Sequence, residues 1–575
     1  MASETDSGMS RINSVRELKS PGGLSNNKKS RGMSQITNVQ QLRDVAPTDW
    51  AYEALRSLVD RYGCISGFPN QTYRGSQPLS RYEFAAGLNS CLNQIERLIA
   101  SSTQSVPQAD VETVGRLSQE FEAELAAVGG RVDEIESRTA ILEDSQFSTT
   151  TKLLGNLFFN FTGATSDGDI SVETGNLDTP LNLRRAARDA DNNPIVSTVE
   201  DDPEITFGYY TWLNFTSSFS GKDNLAVQLV AGNGSSPANT FASAGLFNTF
   251  GTPFTDQTGT ASGANSVELR ELFYDFPIGD KLRVVVGPRI NWYRYFDNNA
   301  YSFFLTGASS FNSSGGTLVN PVDRGSGAIV TLDLNELLTF KVGYLGENTE
   351  FLPAAFFNTS SDPNKGLFNA TQTLTAEVDF AIANRANIRL MYTRSTVDNN
   401  VPILNAEGNI TGFGVGGATG EPIYGVADDG FGGTIGDAPG DTFSVNFDWA
   451  ILDEFGIFGR YNFGSTSIRP TTPGIENGKV DAQAFQFGLA FPDLAREGAL
   501  GTLSFVVPFD VLDGEEFLVS GSGDGGTQFD FEATYHFPLN PNIALVPAFY
   551  LISNPNNFDD NPNIYVGNLR AQFRF

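Results

Sequence analysis

Asn563-Ile-Tyr-Val-Gly-Asn-Leu-Arg-Ala-Gln-Phe-Arg-Phe575 ends the chain with Tyr565, Gly567, Leu569, Ala571, Phe573 and Phe575 alternating with Asn568, Arg570, Gln572 and Arg574. Successive side chains of a strand point to opposite faces, so this stretch is a strand with an apolar face and a face carrying two arginines. A soluble sheet buries the first face and wets the second. A membrane β-barrel shows the same alternation, apolar toward lipid and polar toward a watery lumen, in segments of about 10 residues. A single segment is compatible with either, and the choice rests on the rest of the chain.

The same period of two runs backward from this stretch to Lys152. Leu153, Leu157, Phe159 and Phe161 alternate with Asn156, Asn160 and Thr162; Phe207, Tyr209, Leu213 and Phe215 with Thr206, Asn214 and Thr216. Phe443, Val445, Phe447 and Trp449 alternate with Ser444, Asn446 and Asp448, and Phe529, Phe531, Tyr535 and Phe537 with Asp530, Glu532, Thr534 and His536. Short turns at Gly221-Lys-Asp, Pro277-Ile-Gly-Asp, Asn335-Glu, Ala383-Asn-Arg, Leu452-Asp, Pro492-Asp-Leu-Ala-Arg and Leu539-Asn-Pro alternate with long Gly-, Asn- and Asp-rich stretches. A sandwich gives no reason for that alternation, whereas an outer-membrane barrel has short turns at one end and long loops at the other. The hairpin count predicts a mainly β chain: a transmembrane antiparallel barrel of about sixteen strands over 151–575, in the size class that encloses an aqueous channel.

Composition agrees. The chain has 46 Phe and 59 Gly in 575 residues, suiting many strands and loops. No apolar run reaches the roughly eighteen residues a spanning helix needs. A net charge of −30 argues against nucleic acid as a partner, because phosphate backbones call for a basic face. The polar start, Met1 to Lys29, lacks the apolar centre of a secretory signal, so the chain reads as a mature or engineered form, or as one with its start codon placed differently, and 1–37 is expected to be a disordered tail.

Residues 38–100 read as helix, loop, helix. Asp49 can cap a helix over Trp50 to Tyr62, Gly63 and Gly67-Phe-Pro-Asn70 end it, and Ser80-Arg-Tyr-Glu83 has the form of a capping box. Leu42-Arg-Asp-Val, Asp49-Trp-Ala-Tyr, Gly67-Phe-Pro-Asn and Ser80-Arg-Tyr-Glu-Phe84 resemble, in order, the blocks of one S-layer homology motif. The resemblance implies a peptidoglycan-binding module that meets a linked polysaccharide through Trp50, Gly67, Phe68, Pro69 and Arg81. Asn70-Gln71 stands where the motif usually has aspartate-glycine. Over 108–147 the apolar spacing shifts to four and three through Val111, Val114, Phe121, Leu125, Val128, Val132, Ile135 and Leu142. This is a short heptad array, broken at Gly129-Gly130, whose β-branched seam leans toward trimers. Cys64 and Cys91 are the only cysteines, and a periplasmic address would let them form a disulfide across the two helices.

The combination resembles cyanobacterial outer-membrane porins, in which one S-layer homology motif and a coiled coil precede a barrel grouped with carbohydrate-selective and iron-uptake porins. That resemblance implies outer-membrane lipid around the barrel, a homotrimer, and a terminal Phe575 read by barrel-assembly machinery. The expected function is passive diffusion of small hydrophilic solutes and ions; a mainly mechanical tether between membrane and wall is the alternative. Arg270, Arg283, Arg289, Lys341, Arg389, Arg460 and Arg570 are expected on the pore wall, opposed by Glu377, Asp379, Asp448, Asp530 and Glu532. The third long loop, Asn291 to Ser326, carries Arg294, Asp297, Asp323 and Arg324 among aromatics and is the candidate constriction.

Signals of other chemistry are weak. His536 is the only histidine, with just Thr534 and Asp530 sharing its face, so a hydrolase triad has little to build on. Gly412-Phe-Gly-Val-Gly-Gly417 has dinucleotide-loop spacing without the strand and helix that should flank it. Asp189-Ala-Asp-Asn-Asn opens like a calcium loop, but Pro194 stands where glycine is needed. No metal-ligand spacing of the Cys/His type occurs, and no cofactor or enzymatic activity is expected.

Overall fold

The computed structural model describes 34–35, 56, 59 and 66–67, and then 151–575 apart from 178–183, 247–254, 256–263, 349–358, 383–384 and 418–421. The chain divides into two compact units, one holding Gln146–Phe575 and the other Val15–Ser145.

Within the smaller unit, Ser34–Gln35 pairs antiparallel with Ser66–Gly67. Position 56 is helical and exposed and Val59 is helical and buried, as the apolar stripe over Trp50 to Tyr62 requires. Trp50, Phe68, Pro69, Arg81, Cys64, Cys91 and the heptads of 108–147 lie outside the described residues.

The larger unit is a closed barrel of sixteen strands, each hydrogen-bonded antiparallel to the next. In chain order they are β1 (Thr151–Ser166), β2 (Thr206–Ser217), β3 (Asn224–Gly232), β4 (Glu268–Ile278), β5 (Leu282–Asn291), β6 (Arg324–Asn335), β7 (Leu338–Glu347) and β8 (Gln372–Ile382). The series continues with β9 (Ala386–Val397), β10 (Ala438–Leu452), β11 (Phe455–Ile468), β12 (Gly478–Pro492), β13 (Leu500–Asp513), β14 (Phe529–Asn540), β15 (Ile543–Ser553) and β16 (Ile564–Arg574). Six of the seven short turns fall at or between successive strand ends where the sequence placed them, and the seventh, Ala383-Asn-Arg, includes residues outside the described ones. The barrel closes where β16 pairs with β1, Leu569 against Phe161 and Arg574 against Asn156. Phe575 and Gly155 then exchange backbone hydrogen bonds of 2.6 and 3.0 Å.

Burial runs opposite to that of a water-soluble sheet. Leu569 is 48% exposed and its neighbour Arg570 1%; Phe443 is 56% exposed and Ser444 4%. The exposed apolar rings form the outer wall, where lipid can replace water, and the polar set turns inward. At the long-loop rim, Tyr209, Tyr392 and Tyr565 keep their rings on that wall while their hydroxyls donate to Asn265, Asp441 and Asp167. Such rings, apolar in body and polar at the tip, suit the edge of a bilayer. Among the described residues no helix is long and apolar enough to cross a membrane.

The long loops carry structure of their own. Leu518–Ser520, Gly425–Ala427, Ile410–Gly417, Val401–Asn405 and Ala187–Arg188 form a five-stranded sheet that joins the seventh, fifth and first loops. The glycine run 412–417 is thus part of a strand, where a side chain at Gly414 would strike the Ala427 carbonyl at 2.1 Å. Ile170 and Val172 of the first loop, Phe241 and Leu246 of the second, Leu318 of the third, Tyr424 of the fifth and Leu518 of the seventh share one apolar cluster with the wall residues Ala484, Phe509 and Tyr550. The loops therefore pack into the mouth of the barrel. Asp189, read as the start of a calcium-like loop, instead accepts from the N–H groups of Asp191 and Asn193 and closes a tight turn.

Candidate functional site: the third loop and the inner wall

The segment between β5 and β6, 292–323, lies against inward-facing side chains around much of the barrel. Trp292 Nε1 donates to Thr375 Oγ1 of β8 at 2.9 Å, and the Asp297 N–H donates to Glu377 on the same strand at 2.7 Å. Asp297 has φ +53°, a left-handed conformation that aspartate tolerates better than most residues. Its carboxylate meets Arg460 of β11, whose Nε lies 3.0 Å from both oxygens, and accepts from Asn446 Nδ2 at 2.6 Å and the Gly316 N–H at 2.7 Å. Arg460 and Asp297 are both buried, so the pair joins loop to wall away from bulk water.

Farther along, the loop makes a single helical turn, Phe311–Ser314, capped by the Ser310 hydroxyl. Glu532 of β14 accepts there from the Ser309 N–H at 2.6 Å and from Ser310 Oγ at 2.9 Å, while Asn312 donates to Asp530 at 2.6 Å. At the start of the loop, Arg294 binds Glu271 of β4 at 2.8 Å, and Asn291 donates to the same carboxylate at 2.8 Å. Glu271 was not singled out in the sequence, because strict alternation turns it away from its neighbour Arg270; the irregularity in β4 opposite Gln228 and Leu229 lets both be buried. At the far end Asp323 and Arg324, successive residues, approach to 4.0 Å.

The other expected wall residues pair sideways. Lys341 contacts Glu377, its register partner on the next strand, at 2.6 Å. Arg389 sits between Asp448 at 2.6 Å and Asp379 at 3.6 Å. Arg283 meets Asp275 at 2.6 Å. Opposite charges were expected to face each other across the lumen; they meet on neighbouring strands instead. Neighbouring strands are about 4.8 Å apart, whereas the lumen of a sixteen-stranded barrel is too wide for two side chains to bridge. Arg270 lies 5.4 Å from the ring centre of Tyr210, and Arg289 lies at the irregularity in β5 between Gly287 and Ile290. Arg570 donates to the Leu305 carbonyl at 3.2 Å and sits 5.7 Å from the Phe158 ring. His536 faces inward on β14 and is nearly buried.

Phe158, Tyr210 and Trp212 of the wall pack with Phe304 of the loop, the Trp212 and Phe304 rings 5.8 Å apart. These rings are occupied by one another. A family model for carbohydrate-selective porins of the OprB type matches residues 108–575, and one for the S-layer homology domain matches 41–85. Uncharacterized proteins of Nostoc sp. and Synechocystis sp. are each 31% identical, covering 96% and 95% of this chain and 87% and 92% of their own. The outer membrane protein SlpA of Thermus thermophilus is 36% identical over 20% of this chain and 12% of its own. Among solved structures, Pseudomonas putida OprB at high pH covers 77% of this chain and 97% of its own, with a TM-score of 0.46 and 15% identity.

Proposed function

As this chain belongs to the carbohydrate-selective porin family and carries an S-layer homology domain, we propose that its third loop sets the width of an outer-membrane channel for small hydrophilic solutes and ions. The barrel lies in the outer membrane and the N-terminal module in the periplasm. The carrying observation is the third loop laid along the inner wall and fastened by Arg460–Asp297 and Glu532–Ser309. Lys341, Arg389, Arg460 and Arg283 each have a carboxylate in contact, so passage is governed more by the width at the loop than by net wall charge. Deleting Ser302 to Thr317 tests this: single-channel conductance in planar bilayers should rise, and an unchanged value rejects the loop as the constriction. A wild-type barrel that never conducts rejects the channel.

The same reading includes a wall anchor. The S-layer homology domain supports binding of peptidoglycan or its linked polysaccharide, with Trp50, Gly67, Phe68, Pro69 and Arg81 as the contact residues. Arg81 is the first choice because a guanidinium fork suits the carboxylate of an acidic sugar. A trimer drawn together by 108–147 would bring three single motifs into one unit, and a Cys64–Cys91 disulfide would brace each. Arg81→Ala protein that still co-sediments with peptidoglycan sacculi as wild type does rejects the assignment. Removing the residues before Lys152 separates the roles, because the channel should survive while wall attachment is lost.

A further inference from the structure

Glu173 ends the strand Ile170–Glu173 in the first long loop and is 1% exposed. Four loops meet around it. Its carboxylate accepts from the N–H of Gly521 at 2.5 Å and of Gly523 at 3.2 Å, both in the seventh loop. Its own N–H donates to Ser243 Oγ of the second loop at 2.8 Å, and its carbonyl accepts from Ala244 at 2.9 Å. Ser520 Oγ donates to the Ala244 carbonyl at 2.6 Å, and Asn557 of the eighth loop donates to the Gly521 carbonyl at 2.8 Å. The two glycines adopt φ +102° and +58°, and a side chain would strike Tyr424 O at 2.6 Å from Gly521 and Asn557 O at 2.2 Å from Gly523. The backbone is thus shaped to aim two amides at one carboxylate.

Among the described residues no lysine or arginine nitrogen comes within ion-pair distance of Glu173. Two charged groups act on it from the elements around it: Arg188, which favours the anion, and Asp524, which opposes it. Arg188 is already engaged, gripping Asp428 of the fifth loop through Nε and Nη2, each at 2.8 Å. A carboxylate buried with two neutral donors and no contacting cation is costly to ionise.

We propose that Glu173 is a protonation-controlled clasp at the channel mouth: neutral, it holds the first, second, seventh and eighth loops together; ionised, it weakens that hold and the mouth opens. The proposal rests on the channel reading given above. Burial raises the carboxyl from its ordinary 4.5 to about 7, and the glycine amides and Arg188 only partly offset this. In an opened mouth, with Glu173 wetted, the ordinary value returns. Closing therefore takes up one proton and opening releases it. The closed state gains as pH falls through about 7, at most tenfold per pH unit down to about 4.5, and is least favoured above about 7.

Single-channel recording of the whole protein, varying pH on the long-loop side alone, tests the clasp. Wild type should spend more time in a low-conductance state at about pH 5 than at about pH 8, with the change levelling off above about pH 7. Acidifying the short-turn side alone should do little. Glu173→Gln, which keeps one acceptor oxygen and cannot ionise, should stay in the low-conductance state at either pH. Glu173→Ala, which removes both acceptors, should stay open at either pH. A wild-type pH response that persists in both variants, or conduction without any pH response, overturns the clasp. If the barrel does not conduct at all, the channel reading fails separately. The clasp is then judged by hydrogen exchange over 518–526, corrected for intrinsic rate. Faster exchange at about pH 8 in wild type but not in Glu173→Gln supports it; equal exchange overturns it.

Discussion

The third loop and the loop sheet at the mouth narrow the same barrel by different means. The third loop is bonded to the wall: Thr375, Asn446, Arg460, Asp530 and Glu532 hold it from strands β8, β10, β11 and β14. The loop sheet is bonded mostly to itself, its strands drawn from three loops and locked by Arg188 to Asp428, Glu516 and Leu518. A loop fixed to a rigid wall keeps its position whatever its neighbours do. Loops fixed to one another form or release together. The first arrangement suits a permanent filter and the second a gate.

Arg460→Ala should have the largest effect, because it strands Asp297 as a buried anion between loop and wall. Removing one partner of such a pair costs about 3–5 kcal/mol. The variant should show noisier and larger open currents in single-channel records, with the pH response of the mouth unchanged. Equal loosening of both regions would erase the contrast drawn above. Arg188→Ala should come next. It should expose the first, fifth and seventh loops together to limited proteolysis while leaving the open-channel conductance near wild type. Cleavage confined to one loop would show that the sheet does not act as a unit.

The smallest effect belongs to a site in neither region. In the turn between β2 and β3, the Asp223 carboxylate accepts from Ser220 Oγ and from the Tyr274 hydroxyl, which hold it well below the usual carboxylate range. A depressed value means a contribution to stability that is complete above the unfolded value of about 3.9 and fades only as pH falls below it. Thermal unfolding should therefore show no change traceable to this turn between neutral pH and about pH 4. Asp223→Asn should lower the midpoint slightly, and a large drop would move this turn up the ranking.

The barrel was legible in the sequence because the alternation that defines it is local. Phe443, Ser444, Val445 and Asn446 state their faces without reference to any distant residue, and Leu452-Asp453 states its turn. The partners of the wall charges were not legible. Lys341 and Glu377 pair because of the register between β7 and β8, and Arg460 meets Asp297 only because a loop crosses the interior. The loop sheet was invisible for the same reason. Val401–Asn405 lies parallel to Ala187–Arg188, and Gly425–Ala427 pairs with Leu518–Ser520, contacts among segments that carry no periodic signal long enough to read. What sequence could have suggested is the special role of Gly521 and Gly523, two glycines in a short Gly-Ser-Gly-Asp-Gly-Gly run, where a chain often adopts conformations closed to other residues.

The mutual hydrogen bonds of Gly155 and Phe575 have a consequence for biosynthesis. The seam that seals the wall joins the first barrel strand to the sixteenth, so a chain that lacks β16 cannot be sealed. A chain clipped before Ile564 would keep β1 and β15 as two raw edges, each with a row of unpaired backbone N–H and C=O groups. Hydrocarbon does not accept such edges. The closing pair therefore makes lipid entry wait on β16: only a chain that already carries that strand can leave the aqueous periplasm as a sealed wall, and products that lack it remain exposed to proteases on the way.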